Sequence, residues 1–212
     1  MTNTTRTSAP DDPAAALLTE AYAVAPDDLD RLRRRLAREA ERGDLLDVAI
    51  RKVDSPVGAL LLAATEAGVV RVAFSGEGFD AVQSELAERV SPRVLVAPRR
   101  LDAAARQLDD YFGGRRRHFE VPLDWRLATG YRGEVLHHLA TDVPYGGTAS
   151  YAALAARTSS PRAVRAVGTA CATNPLPLLV PCHRVVRSDG SAGRYRGGPD
   201  AKALLLALES RV

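Results

Sequence analysis

The apolar residues of this chain change their period twice, and that change limits the fold more than any single residue does. From Leu46 to about Trp125 they come in short runs of strand length, as in "LDVAIRKVDSPVGALLLAATEAGVVRVAF", broken at Ser55-Pro56 and at Glu66-Ala67-Gly68. Before and after that stretch they recur at helical spacing. The chain therefore divides into an extension over 1–45, a sheet-bearing unit over 46–125 and a helical unit over 126–212. The fold class expected is α+β: a small antiparallel-sheet α/β domain, then a mostly helical C-terminal domain containing a helix-turn-helix.

In the middle unit, Glu66-Ala67-Gly68 suits a hairpin turn, and helices are expected near 79–90 and 99–112. "RVLVA" is expected as a strand between them and "HFEVPLDW" as one more strand. This unit has no cysteine and reads as scaffold. In the extension, residues 1–13 form a polar tail bounded by prolines, expected to be disordered. Two helical patterns follow it. In the second, Leu29, Leu32, Leu36 and Ala40 fall near helical spacing, Asp27 and Asp28 suit its start, and Gly43 ends it. Its arginines are expected on the wet face of a helix packed against the main body.

The helical unit offers "TGYRGEVLHHLATDV", "ASYAALAART", "SSPRAVRAVGTACAT" and "DAKALLLALES". In the third, Ser160 is expected as N-cap, Pro161 at the first helical position and Asn174-Pro175 as the stop. Two short helices joined by "TSS" fit a helix-turn-helix, although many such pairs bind nothing. On the third helix Val164, Val167, Gly168 and Cys171 are expected to face the core. Arg162, Arg165, Ala166, Thr169 and Thr173 would form the opposite stripe. Arginines among small residues let a helix approach a phosphate-lined minor groove closely, with little sequence reading.

Charge points the same way. Residues 147–212 carry nine Arg or Lys against three acids, a net +6, whereas residues 1–46 hold seven Arg against nine acids, a net −2. A basic last third suits a polyanion partner; on charge alone a solvated arginine-rich surface is the commoner reading. No apolar run approaches the roughly 18 residues of a membrane helix, and "MTNTTRTSAPDDP" lacks the apolar core of a secretory signal. A cytoplasmic protein with no membrane contact is expected. Two cysteines among 212 residues make no disulfide framework.

One of them sits in "PLLVPCHRVVRSDGSAGRYRGG". A nucleophilic cysteine needs a base, a positive charge or a helix N-terminus, because a free thiol titrates near pH 8.5. His183 follows Cys182 directly. In an extended segment adjacent side chains diverge, so a bridging water would join them more readily than direct contact. A histidine base also needs an orienting partner. Glu209, at the edge of the stripe Ala201, Leu204, Leu205 and Leu208, is the candidate, against the reading of an exposed glutamate near a chain end. Zinc would need about four ligands, and only Cys171, Cys182 and His183 cluster, so no metal is expected. Cys171 reads as a small core hydrophobe.

"PCHRVV", the upstream "NPLPLLV", "ASYAALA…PRAVRAVG" and "GRYRGG…AKALLLALE" resemble the O6-alkylguanine-DNA alkyltransferase family, also called methylated-DNA–protein-cysteine methyltransferases. The resemblance covers roughly 46–212 and is dense from Tyr131 to Glu209. It implies single-turnover transfer of an alkyl group from guanine O6 in double-stranded DNA to Cys182, by a monomer without cofactor or metal. It implies His183 as base through a water, Glu209 as its holder and Asn174 as a brace. Tyr151 would crowd the target phosphate and donate toward guanine, Val185 and Arg196 would lend mainly backbone groups, and Tyr195 would wall the pocket. Arg165 would fill the gap left by a flipped nucleotide, with Arg162, Ala166 and Thr169 beside it on DNA.

The chain also departs from the family. Residues 1–45 lie outside the shared pattern and lack the cysteines of the methyl-sensing domain found in regulatory members. Cys171 stands where a non-thiol residue is expected and could pair with Cys182 on oxidation. Two other readings remain: a relative that flags damaged guanine without accepting the alkyl group, which would lack Cys182, and a helix-turn-helix regulator with a sensor cysteine, which would bind a specific sequence.

Overall fold

The computed structural model describes residues 26–43 and 45–210, and shows an α+β protein with a small sheet domain and a helical C-terminal domain. The expected tail and the first helical pattern of the extension lie outside the described residues. Helix α1 (Pro26–Arg42) ends at Gly43, whose N–H donates to Glu39 O at 2.9 Å. It packs beside β4 (Val94–Val96) through Ala37 and Ala40. Leu29, Leu32 and Leu36 stay exposed, contrary to the expected stripe. The small alanine face allows the closer approach, so it takes the body side.

The sheet runs β3-β2-β1-β4, with β1 (Val48–Val53), β2 (Leu60–Thr65) and β3 (Gly68–Phe74) antiparallel as expected. Strand β4 instead joins β1 in parallel. The chain leaves β3 and returns through α2 (Phe79–Arg89), and a crossover of that kind delivers a parallel strand. Alternation sorts the side chains: Val48, Ile50, Leu61, Ala63 and Val70 pack with Val82 and Leu86 of α2. Ala49, Leu60, Leu62, Val72 and Phe74 join the core shared with α3 (Asp102–Phe112) and the helical domain.

At Gly68 the hairpin turns with φ +139°, and a Cβ there would meet Pro122 O at 2.3 Å. That close approach explains "HFEVPLDW", which forms one bridge between Val69 and Leu123 instead of a strand. Pro122 has no N–H to extend a ladder, and Asp124 turns its side chain to the N–H of Arg126.

The helical domain contains α4 (Gly130–Asp142), α5 (Tyr151–Ala155), α6 (Val164–Ala172) and α7 (Gly198–Glu209). Short parallel strands β5 (Ala149–Ser150) and β6 (Val185–Val186) tie the start of α5 to the cysteine segment. Ser150 caps α5, accepting from Ala153 N at 3.0 Å. Helix α6 starts later than the Ser160-Pro161 signal suggests. Ser160 O closes a turn onto Ala163 N at 2.9 Å, and Ala163 leaves the helical region with ψ 43°. The α5–α6 connection is therefore longer than "TSS", and Val164 at the helix start is 38% exposed instead of buried. Val167, Ala170 and Cys171 form the inward face. No helix among the described residues is long and apolar enough to cross a membrane.

Candidate active site

The segment from Asn174 to Val185 is buried along its whole length. A buried irregular segment must find partners for its backbone groups, and the Asn174 side chain supplies several. Its Nδ2 donates to Val180 O at 2.9 Å and to Cys182 Sγ at 3.2 Å, while its Oδ1 accepts from Leu176 N at 2.9 Å. One amide thus folds the loop and holds the sulfur. Cys182 opens a single 3-10 turn, Cys182–Arg184, which follows Pro181.

His183 is fully buried, with Nε2 at 2.9 Å from Glu209 Oε1. Glu209 is buried too, and it collects further donors: Tyr111 Oη at 2.7 Å, Arg184 Nε at 2.8 Å, Arg184 Nη2 at 3.0 Å and Gly146 N at 3.3 Å. Burial alone would raise its carboxyl, but the hydrogen bonds from His183 and Arg184 prevail and bring it down to about 2. Burial lowers His183 below the usual imidazole range, against the pull of Glu209. At neutral pH the pair is therefore carboxylate and neutral imidazole. The carboxylate fixes the proton on Nε2 and leaves Nδ1 as the basic nitrogen. Nδ1 is buried and has no hydrogen-bond partner, so no direct bond joins it to Sγ.

The thiol itself is pushed up to about 11 by burial, with Asn174 and the Lys202 charge pulling the other way. It rests as a thiol beside a vacant base. Lys202 is fully buried and donates from Nζ to Val185 O at 2.6 Å and Gly193 O at 3.3 Å. This arrangement can accept a proton from sulfur and hold the resulting nucleophile near the Lys202 charge.

The family models match both halves of the chain: the 6-O-methylguanine DNA methyltransferase ribonuclease-like domain over residues 48–125, and the DNA binding domain of the same family over 131–211. The chain belongs to this methyltransferase family. A methylated-DNA–protein-cysteine methyltransferase of Mycolicibacterium paratuberculosis is 36% identical over 164 residues, covering 77% of this chain and 93% of the relative. The crystal structure of Mycobacterium tuberculosis O6-methylguanine methyltransferase superposes with TM-score 0.67 at 34% identity, over 77% of this chain and 93% of the other. The same organism's OGT in complex with DNA gives TM-score 0.65 at 35% identity, over 76% and 92%.

Against that family frame, the expected residues divide into those gathered round the sulfur and those outside. Asn174, Cys182, His183 and Glu209 form one connected set. Tyr195 joins them: its ring stands edge-on to His183 at 6.2 Å and its buried hydroxyl has no partner. Half-buried Tyr151 starts α5 with its hydroxyl against Gly193, where a Cβ would come within 2.3 Å of it. Val185 keeps both backbone groups inside the protein, its N–H on Cys182 O and its C=O on Lys202. The Arg196 guanidinium is engaged within the protein, with Glu77 Oε2 at 3.0 Å and Asn174 O at 3.2 Å.

Arg165, Ala166 and Thr169 are exposed on α6, and Arg162 is exposed in the turn before it. Cys171 is buried on the inner face of α6, and both cysteines are free. Among the described residues no cluster of His, Cys, Asp and Glu could hold a metal ion.

Sequence reasoning missed Tyr111, Arg184 and Lys202. Arg184 stands within the quoted "PCHRVV", and Lys202 left a positional sign. With Leu205 and Glu209 it lies at i, i+3 and i+7, and this is the stripe that α7 buries, while Leu204 is 36% exposed.

Proposed function

We propose that this protein repairs O6-alkylguanine in double-stranded DNA by moving the alkyl group irreversibly to Cys182. The observation that carries the reading is the buried thiol beside an imidazole whose outer nitrogen is locked by Glu209 and whose inner nitrogen is vacant. The Sγ proton passes through a water to His183 Nδ1, and the resulting imidazolium is stabilised by the Glu209 carboxylate. Sγ then attacks the alkyl carbon in line. The S–C bond forms as the C–O6 bond breaks; its electron pair leaves on guanine, whose ring takes up one proton, balancing the one that the thiol gave up to His183. The Tyr195 hydroxyl, buried and without a partner, and the Tyr151 hydroxyl are the proposed donors to the leaving base. The thioether is stable to water, so each chain acts once.

An alkyl carbon inside stacked duplex is out of reach of a buried sulfur, so the nucleotide must rotate out, at a cost of a few kcal/mol. Helix α6 with Arg165, Arg162, Ala166 and Thr169 is the surface assigned to the minor groove, and Arg165 the side chain that fills the gap. The acceptor sulfur and the DNA-facing helix thus both lie within 126–212, and one chain serves one lesion.

Excess duplex carrying O6-methylguanine provides the test. One equivalent of guanine is restored per chain and the reaction then stops. No restoration, or continued restoration beyond one equivalent, contradicts the proposal.

A further inference from the structure

Besides the Tyr111–Glu209 hydrogen bond, the sheet domain meets the active site at Phe74. At the end of β3, the backbone of Gly197 lies flat on Phe74, whose ring a Cβ would meet at 2.7 Å. The Phe74 ring also meets Tyr195 edge-on, at 5.6 Å between centroids. Beside it Glu77 is largely buried and fully engaged: Oε1 accepts from Phe74 N at 2.9 Å, while Oε2 accepts from Arg71 Nη2 at 2.5 Å and faces Arg196 Nε at 3.0 Å. Arg71 is itself buried. The other end of the Arg196 guanidinium donates to Asn174 O at 3.2 Å. Arg196 therefore connects the sheet domain to Tyr195, its neighbour in sequence, and to Asn174, the residue whose amide holds Cys182 Sγ.

We infer that Glu77 and Arg196 form a strap that sets the position of the Tyr195–Gly197 segment and of Asn174, making Arg196 a positioning residue for alkyl transfer and not a contact to guanine or phosphate. This rests on the proposed transfer reaction. Its physical basis is that a side chain serving two anchored partners has one arrangement, whereas the glycine-rich stretch "GRYRGG" would otherwise sample many. It also gives the sheet domain a part in the chemistry.

Single-turnover kinetics with protein in excess over O6-methylguanine duplex separates the limiting transfer rate from the half-saturating concentration. R196M leaves the Arg71–Glu77 pair in place, so it is the main variant. It is expected to lower the limiting rate roughly five- to tenfold with the half-saturating concentration unchanged within about twofold, and R196K to regain most of the rate. E77Q is expected to slow transfer similarly, and E77Q/R196M no more than the slower single variant, because both remove one contact. The strap is overturned if R196M transfers at the wild-type limiting rate. It is also overturned if R196M raises the half-saturating concentration alone, as a DNA contact would, or if the two substitutions multiply. Wild-type protein that transfers nothing would remove the proposed function itself; an unaffected R196M removes only the strap.

Discussion

The bracket around His183 and the outer face of α6 are built on opposite terms. In the bracket, the Glu209 carboxylate receives the buried side chains of Tyr111, His183 and Arg184, and the backbone N–H of exposed Gly146. On α6, Arg165 is exposed, and neither it nor Arg162 has a side-chain hydrogen bond or ion pair among the described residues. A group that must hold one proton on one nitrogen needs a rigid low-dielectric setting. A surface that meets DNA gains from arginines that have not already spent their donors within the protein. The difference predicts that damage to the bracket shows in chemistry and stability, and damage to α6 shows in DNA binding.

Substitution at the sulfur gives the largest effect. Cys182→Ala should abolish transfer and leave duplex affinity intact, because the thiol is the acceptor and not the anchor; loss of binding in a gel-shift titration would blur the two regions. Next is Glu209→Gln, which should slow transfer by roughly 100-fold and cost about 3 kcal/mol in urea unfolding, since Arg184 would keep a buried charge without its carboxylate. A variant of wild-type stability would contradict the bracket.

Arg165→Ala should slow repair of duplex by roughly tenfold while sparing reaction with free O6-benzylguanine, because flipping is needed only for the duplex. Equal loss on both substrates would break the separation. Arg162→Ala should be milder still, reducing the salt slope of DNA binding by about 1 with no change in transfer at saturation.

The bracket also sets a direction for pH. Glu209 is held down to about 2, below its unfolded value, so its stabilisation is present above about pH 4.5 and disappears as the pH falls toward 2. His183 is likewise lowered, so below about pH 6.5 protons favour the unfolded chain. Both act in the same sense. The melting temperature should fall steadily from pH 7 to pH 3, and a flat profile would contradict the assigned charge states.

How much was legible in the sequence follows the same division. The α+β order, the hairpin at Gly68 and the Cys182–His183 pair could be read because they depend on local period and on neighbouring residues, whereas Glu209, 26 positions from His183, owed its role mainly to the family resemblance. Tyr111 could not, since it lies 98 positions from the carboxylate that it serves. Arg196 could be named but not aimed: its partner Glu77 belongs to the other domain, and only the packing of Gly197 on Phe74 brings them together. The start of α6 was misplaced because Ser160-Pro161, a sound helix signal in isolation, was used for a turn. The α1 leucines misled for a related reason, as periodicity finds an apolar stripe but not which flank the body will cover.

Peptide mapping by mass spectrometry, after mixing fresh reduced protein with O6-methylguanine duplex, tests the central claim most directly. The account predicts one methyl group, placed by fragment-ion sequencing on Cys182 and not on Cys171, since both fall between Arg165 and Arg184. A methyl group on any other side chain, or unmodified protein beside repaired DNA, would contradict it.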